Sequence, residues 1–112
     1  MNKINLLEET EKVLKKHGKT LDSIWRVYVY AYEYSCPVKI LGLKEFKELA
    51  NIEYNNDFGG QEIKNMVAKG LDFFMFRHVY DGSEWWEYVS TTVRPKDRME
   101  IKDLYWRYAW KY

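Results

Sequence analysis

The pair Asp81-Gly82 constrains this chain more than any other feature. An aspartate–glycine pair supplies the two positive-φ residues of a tight type I′ turn. Here it separates two aromatic-rich segments, residues 71–80 and 84–93. In the first, Phe73, Met75, Arg77 and Val79 alternate with Phe74, Phe76, His78 and Tyr80; in the second, Trp85, Glu87, Val89 and Thr91 alternate with Trp86, Tyr88, Ser90 and Thr92. Side chains with a period of two belong to β-strands, and two such runs around a turn pair predict a hairpin. Both faces of it carry large apolar groups. The hairpin is therefore expected to be covered on both sides near its turn, or to offer one aromatic face to a partner.

The rest of the chain has room for helices on such a sheet. Residues 4–17 predict an amphipathic helix with Leu6, Thr10, Val13, Leu14 and His17 on one face and Gly18 just past its end. From residue 23 to 35 the period returns to two: Trp25, Val27, Val29 and Ala31 form a small apolar face expected to meet the core, and Tyr28, Tyr30, Tyr32 and Tyr34 an opposite face expected to be half solvated. Cys36-Pro37 ends this strand, and 38–41 returns as a short antiparallel partner. Residues 43–50 predict a short helix, 51–60 a loop rich in Asn, Asp and Gly, and 61–69 either a helical turn or a strand ending at Gly70. After Pro95, Asp97 and Glu100 resemble a capping box for an aromatic C-terminal helix over 98–112, with Ile101, Leu104, Tyr105, Tyr108 and Tyr112 at helical spacing. The expectation is one α+β domain over residues 1–112, an antiparallel sheet of about four strands in the order α-β-β-α-(β)-β-β-α.

Composition narrows the function classes. A chain of 112 residues with 46% apolar content suits one core, and a formal charge of +1 does not suit a polyelectrolyte tail. No apolar run reaches the ~20 residues of a membrane span, and the N-terminus turns acidic before a signal-peptide core. With Cys36 alone there is no internal disulfide, so a reducing cytoplasm is the expected compartment. His17 and His78 stand at no metal-ligand spacing, Cys36 has no adjacent activating group, and Phe58-Gly59-Gly60 lacks a phosphate-binding lysine. No cofactor, metal or catalytic constellation is expected, and the chain reads as a non-enzyme.

What remains is an aromatic surplus and a charge asymmetry. Ten Tyr, five Trp and five Phe exceed what one small core can hide alongside its aliphatic residues, with the five Phe and Trp25 the natural core members. Residues 51–90 carry seven acids against three bases, a net of −4, whereas 91–112 carry six bases against three acids, a net of +3. Exposed Trp and Tyr beside charges match interface hot spots. The candidate partner-binding residues are Asp57, Asp81, Glu84, Trp85, Trp86, Glu87, Tyr88, Trp106 and Trp110, the acids imitating nucleic acid against a basic groove. The rival use is stacking single-stranded bases on the aromatic sheet face, with Arg94, Arg98 and Arg107 on the backbone phosphates. Pairing of two copies through the aromatic face is a third.

Three segments carry a resemblance: Tyr80-Asp81-Gly82-Ser83-Glu84-Trp85-Trp86-Glu87-Tyr88, His17-Gly18-Lys19-Thr20-Leu21-Asp22 and Phe58-Gly59-Gly60-Gln61-Glu62. Between Leu14 and about Val93 the chain resembles small uncharacterised phage and mobile-element proteins of Gram-positive bacteria. The shared motifs are turn and strand signatures, and the C-terminal aromatic stretch falls outside them. Small accessory phage proteins often bind and inhibit a host machine, so the resemblance implies an anti-CRISPR-like inhibitor of a host protein, such as a nuclease or defence complex.

Overall fold

The computed structural model describes residues 3–31, 34, 36–55, 61–80 and 82–91. The chain runs β1 (Lys3–Asn5), α1 (Leu6–Lys16), a 3₁₀ turn (Leu21–Ser23), β2 (Ile24–Tyr30), β3 (Pro37–Leu41), α2 (Leu43–Ala50), β4 (Glu53–Asn55), β5 (Met66–Gly70), β6 (Phe73–Tyr80) and β7 (Ser83–Ser90). The α+β expectation holds at the level of class. The sheet has five strands rather than four, in the order β3-β2-β5-β6-β7, and β1 and β4 form a separate two-stranded ribbon. Every pairing is antiparallel.

Local chemistry explains the boundaries. The Asn5 side chain accepts the Glu8 amide at 3.1 Å and caps α1, while Ile4 pairs with Tyr54, so the helix begins at Leu6 and not at residue 4. At its other end Gly18 adopts φ +70°, letting its own amide reach the Lys15 carbonyl and the Lys19 amide the Leu14 carbonyl. The Tyr80–Ser83 pairing leaves a two-residue turn in which Gly82 has φ +84°, as the turn pair predicts. The expected loop 51–60 holds a strand at Glu53–Asn55, since β1 offers it an edge. The undecided stretch 61–69 delivers β5, the central strand of the sheet. The expected helix over 98–112 lies outside the described residues.

The sheet is apolar on both faces. On one, the cross-strand row Leu41–Val27–Ala68–Met75–Tyr88 packs under Leu6 and Leu14 of α1 and Phe46 and Ala50 of α2. On the other, Ile40–Tyr28–Val67–Phe76–Glu87 forms the matching row, and Tyr30, Tyr34, Val67, Phe74 and Phe76 make a second buried cluster. The tyrosine face is thus less solvated than the alternation suggested: Tyr30 and Tyr34 are buried, and burial pushes the Tyr30 phenol up to about 12. Trp25 departs from expectation in the opposite sense. The β2–β5 register slips between Ile24 and Arg26, so Ile24 and Val27 enter the core and Trp25 is left 56% exposed.

Gly70 ends β5 at a close approach to Phe73 and to the backbone of Ser23. A Cβ there would overlap the Phe73 ring and lie 2.6 Å from the Ser23 carbonyl oxygen. We expect Gly70→Ala to lower the midpoint of urea unfolding by the equivalent of about 1–3 kcal/mol. An unchanged midpoint would show that the packing is looser than described.

Candidate functional site

The hairpin places an arginine on a core face. Arg77 alternates with Phe73 and Met75, so the strand that buries those residues buries its guanidinium as well, at 1% exposure. A buried cation needs partners, and several elements supply them. Nη1 donates to Glu9 Oε1 of α1 at 3.1 Å; Nη2 donates to Tyr54 Oη of β4 at 3.0 Å and to Glu84 Oε1 of β7 at 3.2 Å. The Tyr54 hydroxyl in turn donates to Glu9 Oε1 at 2.6 Å. Glu84, fully buried, also accepts the backbone amides of Glu62 at 2.7 Å and Ile63 at 3.1 Å. The guanidinium carbon lies 5.4 Å from the Tyr54 ring centre and 5.1 Å from that of Trp86.

The titration behaviour follows from this geometry. Burial opposes the charge on Arg77, but the facing Glu9 carboxylate and Tyr54 hydroxyl outweigh it and raise the guanidinium above its ordinary value. Burial, assisted by the hydrogen bond to Glu9, drives the Tyr54 phenol far above the usual range. A buried cluster of this kind ties α1, β4, β6 and β7 together.

The structure sorts the sequence-predicted residues by role. Glu84 and Trp86 are buried, at 0% and 4% exposure, and are not surface anchors. Glu84 neutralises Arg77, while the Trp86 indole donates to Thr10 Oγ1 at 2.9 Å and the Thr10 hydroxyl donates in turn to the Leu6 carbonyl at 2.7 Å. Tyr88, half-buried, stacks on His17 at 3.7 Å and on Phe73 at 5.1 Å between ring centres. Trp85 and Glu87 lie on the opposite face, half-buried, joined by a 2.7 Å bond from the indole Nε1 to Glu87 Oε1. Tyr80 shares that face and is 63% exposed at the hairpin end, next to Val79 at 37%. Asp57, Asp81, Arg94, Arg98, Trp106, Arg107 and Trp110 lie outside the described residues. The described candidates Glu84, Trp85, Trp86, Glu87 and Tyr88 therefore do not converge on one surface: the strand alternation divides them between the two faces of β7.

Sequence reasoning missed Glu9 and Tyr54 as partners of Arg77, and the bond from Trp86 to Thr10. One signal was available, since an arginine in phase with Phe73 and Met75 demands a buried acid. It also missed a recess of about 300 Å³ lined by Trp25, Arg26, Tyr28 and Lys69. Among the described residues no group of three or more His, Cys, Asp or Glu side chains is placed to hold a metal ion, and no helix is long and apolar enough to cross a membrane. Comparison with protein-family models, curated proteins and solved structures finds no match to this chain.

Two measurements test this arrangement. Arg77→Met leaves Glu84 buried without its cation, and it should destabilise the fold by about 3–5 kcal/mol in urea. Adding Glu84→Gln should recover part of that loss, and strictly additive effects would refute the coupling. The second concerns His78, whose imidazole burial holds below its ordinary value while the Glu87 carboxylate pulls the other way. The folded state favours the neutral ring, so this contribution is complete above the ordinary value of 6.5 and is lost as pH falls below it. Between about pH 7 and about pH 5 the wild type should lose more Tm than His78→Leu, and parallel slopes would rule the contribution out.

Proposed function

We propose that this chain is a non-enzymatic binding protein of phage or mobile-element origin that docks on a host protein and inhibits it, with a nuclease or defence complex as the target class. The observation that carries the reading is the end of the β6–β7 hairpin, where Tyr80 stands 63% exposed on the same face as the bonded Trp85–Glu87 pair. Tyr and Trp are the side chains that most often dominate protein interfaces, because each presents a large rigid surface with a polar tip. The hairpin under them is stiff, being anchored beneath by Arg77 and Glu84. Rigid aromatics lose little freedom on docking.

The acid-mimicry version contracts accordingly. Glu84 is spent inside the fold, and Glu87 is the described acid of the expected set that reaches the rim. The charge of the candidate surface is therefore secondary to its aromatic anchors.

The test is affinity capture by the tagged chain expressed in a Gram-positive host. Wild type should retain one protein stoichiometrically, and Tyr80→Ala or Trp85→Ala should weaken its binding about 30-fold, the effect of losing a hot spot of about 2 kcal/mol. Capture of nothing, or of a protein indifferent to both substitutions, overturns the reading. A chain whose mass doubles with concentration and whose association is lost in Tyr80→Ala would instead assign the hairpin end to self-pairing, and would overturn it equally.

A further inference from the structure

At the other end of the sheet lies a group of side chains that stability does not explain. The register slip in β2 turns Trp25 outward beside Arg26, which alternation with Val27 already places on that face, whereas a regular strand would have sent Trp25 toward α1 and α2. Arg26 then pairs directly with Lys69 of β5. Two cations opposite each other on neighbouring strands repel, and such pairs destabilise a sheet. None of the ion pairs among the described residues relieves them: those pairs join Lys19 to Asp72, Lys47 to Asp22, and Arg77 to Glu9 and Glu84. Lys69 reaches the carbonyl of its neighbour Gly70, at 3.5 Å. Among the described residues, the recess that these cations share with Trp25 and Tyr28 has no carboxylate in its lining.

An exposed indole, a half-buried phenol and two unneutralised cations around about 300 Å³ match one chemistry: a flat π-system attached to an anion. We propose that the Trp25–Arg26–Tyr28–Lys69 recess binds a nucleotide unit of single-stranded nucleic acid, the base stacking on Trp25 and the phosphate lying between Arg26 and Lys69. Stacking requires a free base face, which a duplex hides, and it tolerates any base because each has one. The guanidinium of Arg26 offers a planar fork to phosphate oxygens, and Lys69 adds a point charge. A phosphate between them removes the repulsion that the apo sheet carries, so the cost of Arg26 opposite Lys69 is recovered only in the complex.

The site is separate from the hairpin end. From Phe74, which pairs with Lys69, to Tyr80 is six residues of β6, about 20 Å at the usual rise of a strand. The two surfaces are thus independently testable.

The experiment measures fluorescence anisotropy of labelled oligothymidine and oligouridine of about 20 residues at about 20 mM salt, together with quenching of the intrinsic Trp emission. The wild type should bind, and raising salt should weaken it with a log–log slope of about −0.7 for each phosphate contact. Trp25→Ala should reduce affinity about tenfold, Trp25→Phe should restore most of it, and Arg26→Glu with Lys69→Glu should abolish it and flatten the salt slope. Trp25 and Arg26 are exposed, so circular dichroism and Tm of their variants should match the wild type. Tyr80→Ala should leave binding unchanged. Absence of binding at low salt, or binding indifferent to Trp25 and to the paired charge reversal, overturns the proposal. Equal affinity for thymidine monophosphate and the oligonucleotide would assign the recess to a free nucleotide, and overturns the single-strand assignment. Loss of a captured host protein in Trp25→Ala, with no oligonucleotide bound by the wild type, would assign it to a protein and overturns it likewise.

Discussion

A guanidinium held at 1% exposure cannot be left to find its own solvation, and the positions of several elements follow from that requirement. Arg77 is fixed in β6 by the hairpin register, so its partners have to come to it. Glu9 brings the first half of α1 over the hairpin, and Tyr54 brings β4 and, through the Ile4–Tyr54 pairing, β1. Glu84 joins β7 to the backbone of residues 62 and 63 as the chain enters the central strand. The network closes on itself, since the phenol of Tyr54 both accepts from Arg77 and donates to Glu9. Arg77 Nε is the one buried guanidinium nitrogen without an acceptor, so even here satisfaction is incomplete. Replacement of the set by apolar residues of similar volume could preserve stability, but nothing apolar would dictate which strand, helix and ribbon meet.

The aromatic excess divides around this anchor. On the helical face, Trp86 is pinned through Thr10 to the Leu6 carbonyl, and Tyr88 is held in a stack with His17 and Phe73. Lys19, hydrogen-bonded to Asp72, lies 5.7 Å from the Phe73 ring centre and closes the edge of that stack. On the opposite face, the Tyr34 hydroxyl donates to the Arg77 carbonyl at 2.7 Å, and its ring meets Phe76 edge-on at 6.4 Å. The backbone of the same arginine thus organises the second cluster while its side chain organises the first. Tyr34, Tyr54 and Trp86 are thus each tethered in the interior by a polar tip, while the buried phenylalanines pack by ring contact alone.

Much of this was legible in the sequence, and the failures have particular causes. The Asp81-Gly82 turn, the α2 boundaries and the Gly18 stop depend on local chemistry, which a sequence records directly. The ribbon β1–β4 and the strand β5 depend on what they pair with, and Met66–Gly70 carries no alternation because the central strand is covered on both faces. Trp25 was misplaced because alternation assumes an unbroken register, and a one-residue slip reverses the faces of everything before it. Glu84 and Trp86 were misplaced for a different reason. Their types are common at interfaces, but Val79 opposite Glu84 and Arg77 opposite Trp86 already put both on the core-facing side of β7.

That last point separates the two candidate surfaces from the rest of the molecule. Residue type alone selected Trp86 and Glu84, whose geometry is fully accounted for by Thr10, Arg77 and two backbone amides, so no demand for a partner is left over. Trp25, Arg26 and Lys69 are the reverse case: a tryptophan turned out of the core by a slipped register, beside two cations set face to face with no acid paired to them among the described residues. Like charges set opposite each other weaken a sheet, so the Arg26–Lys69 pairing costs the fold something that the buried Arg77 cluster does not. An anion between the two cations would remove that cost, which is why this surface, rather than the Glu84–Trp86 side of the hairpin, is the one that calls for a ligand.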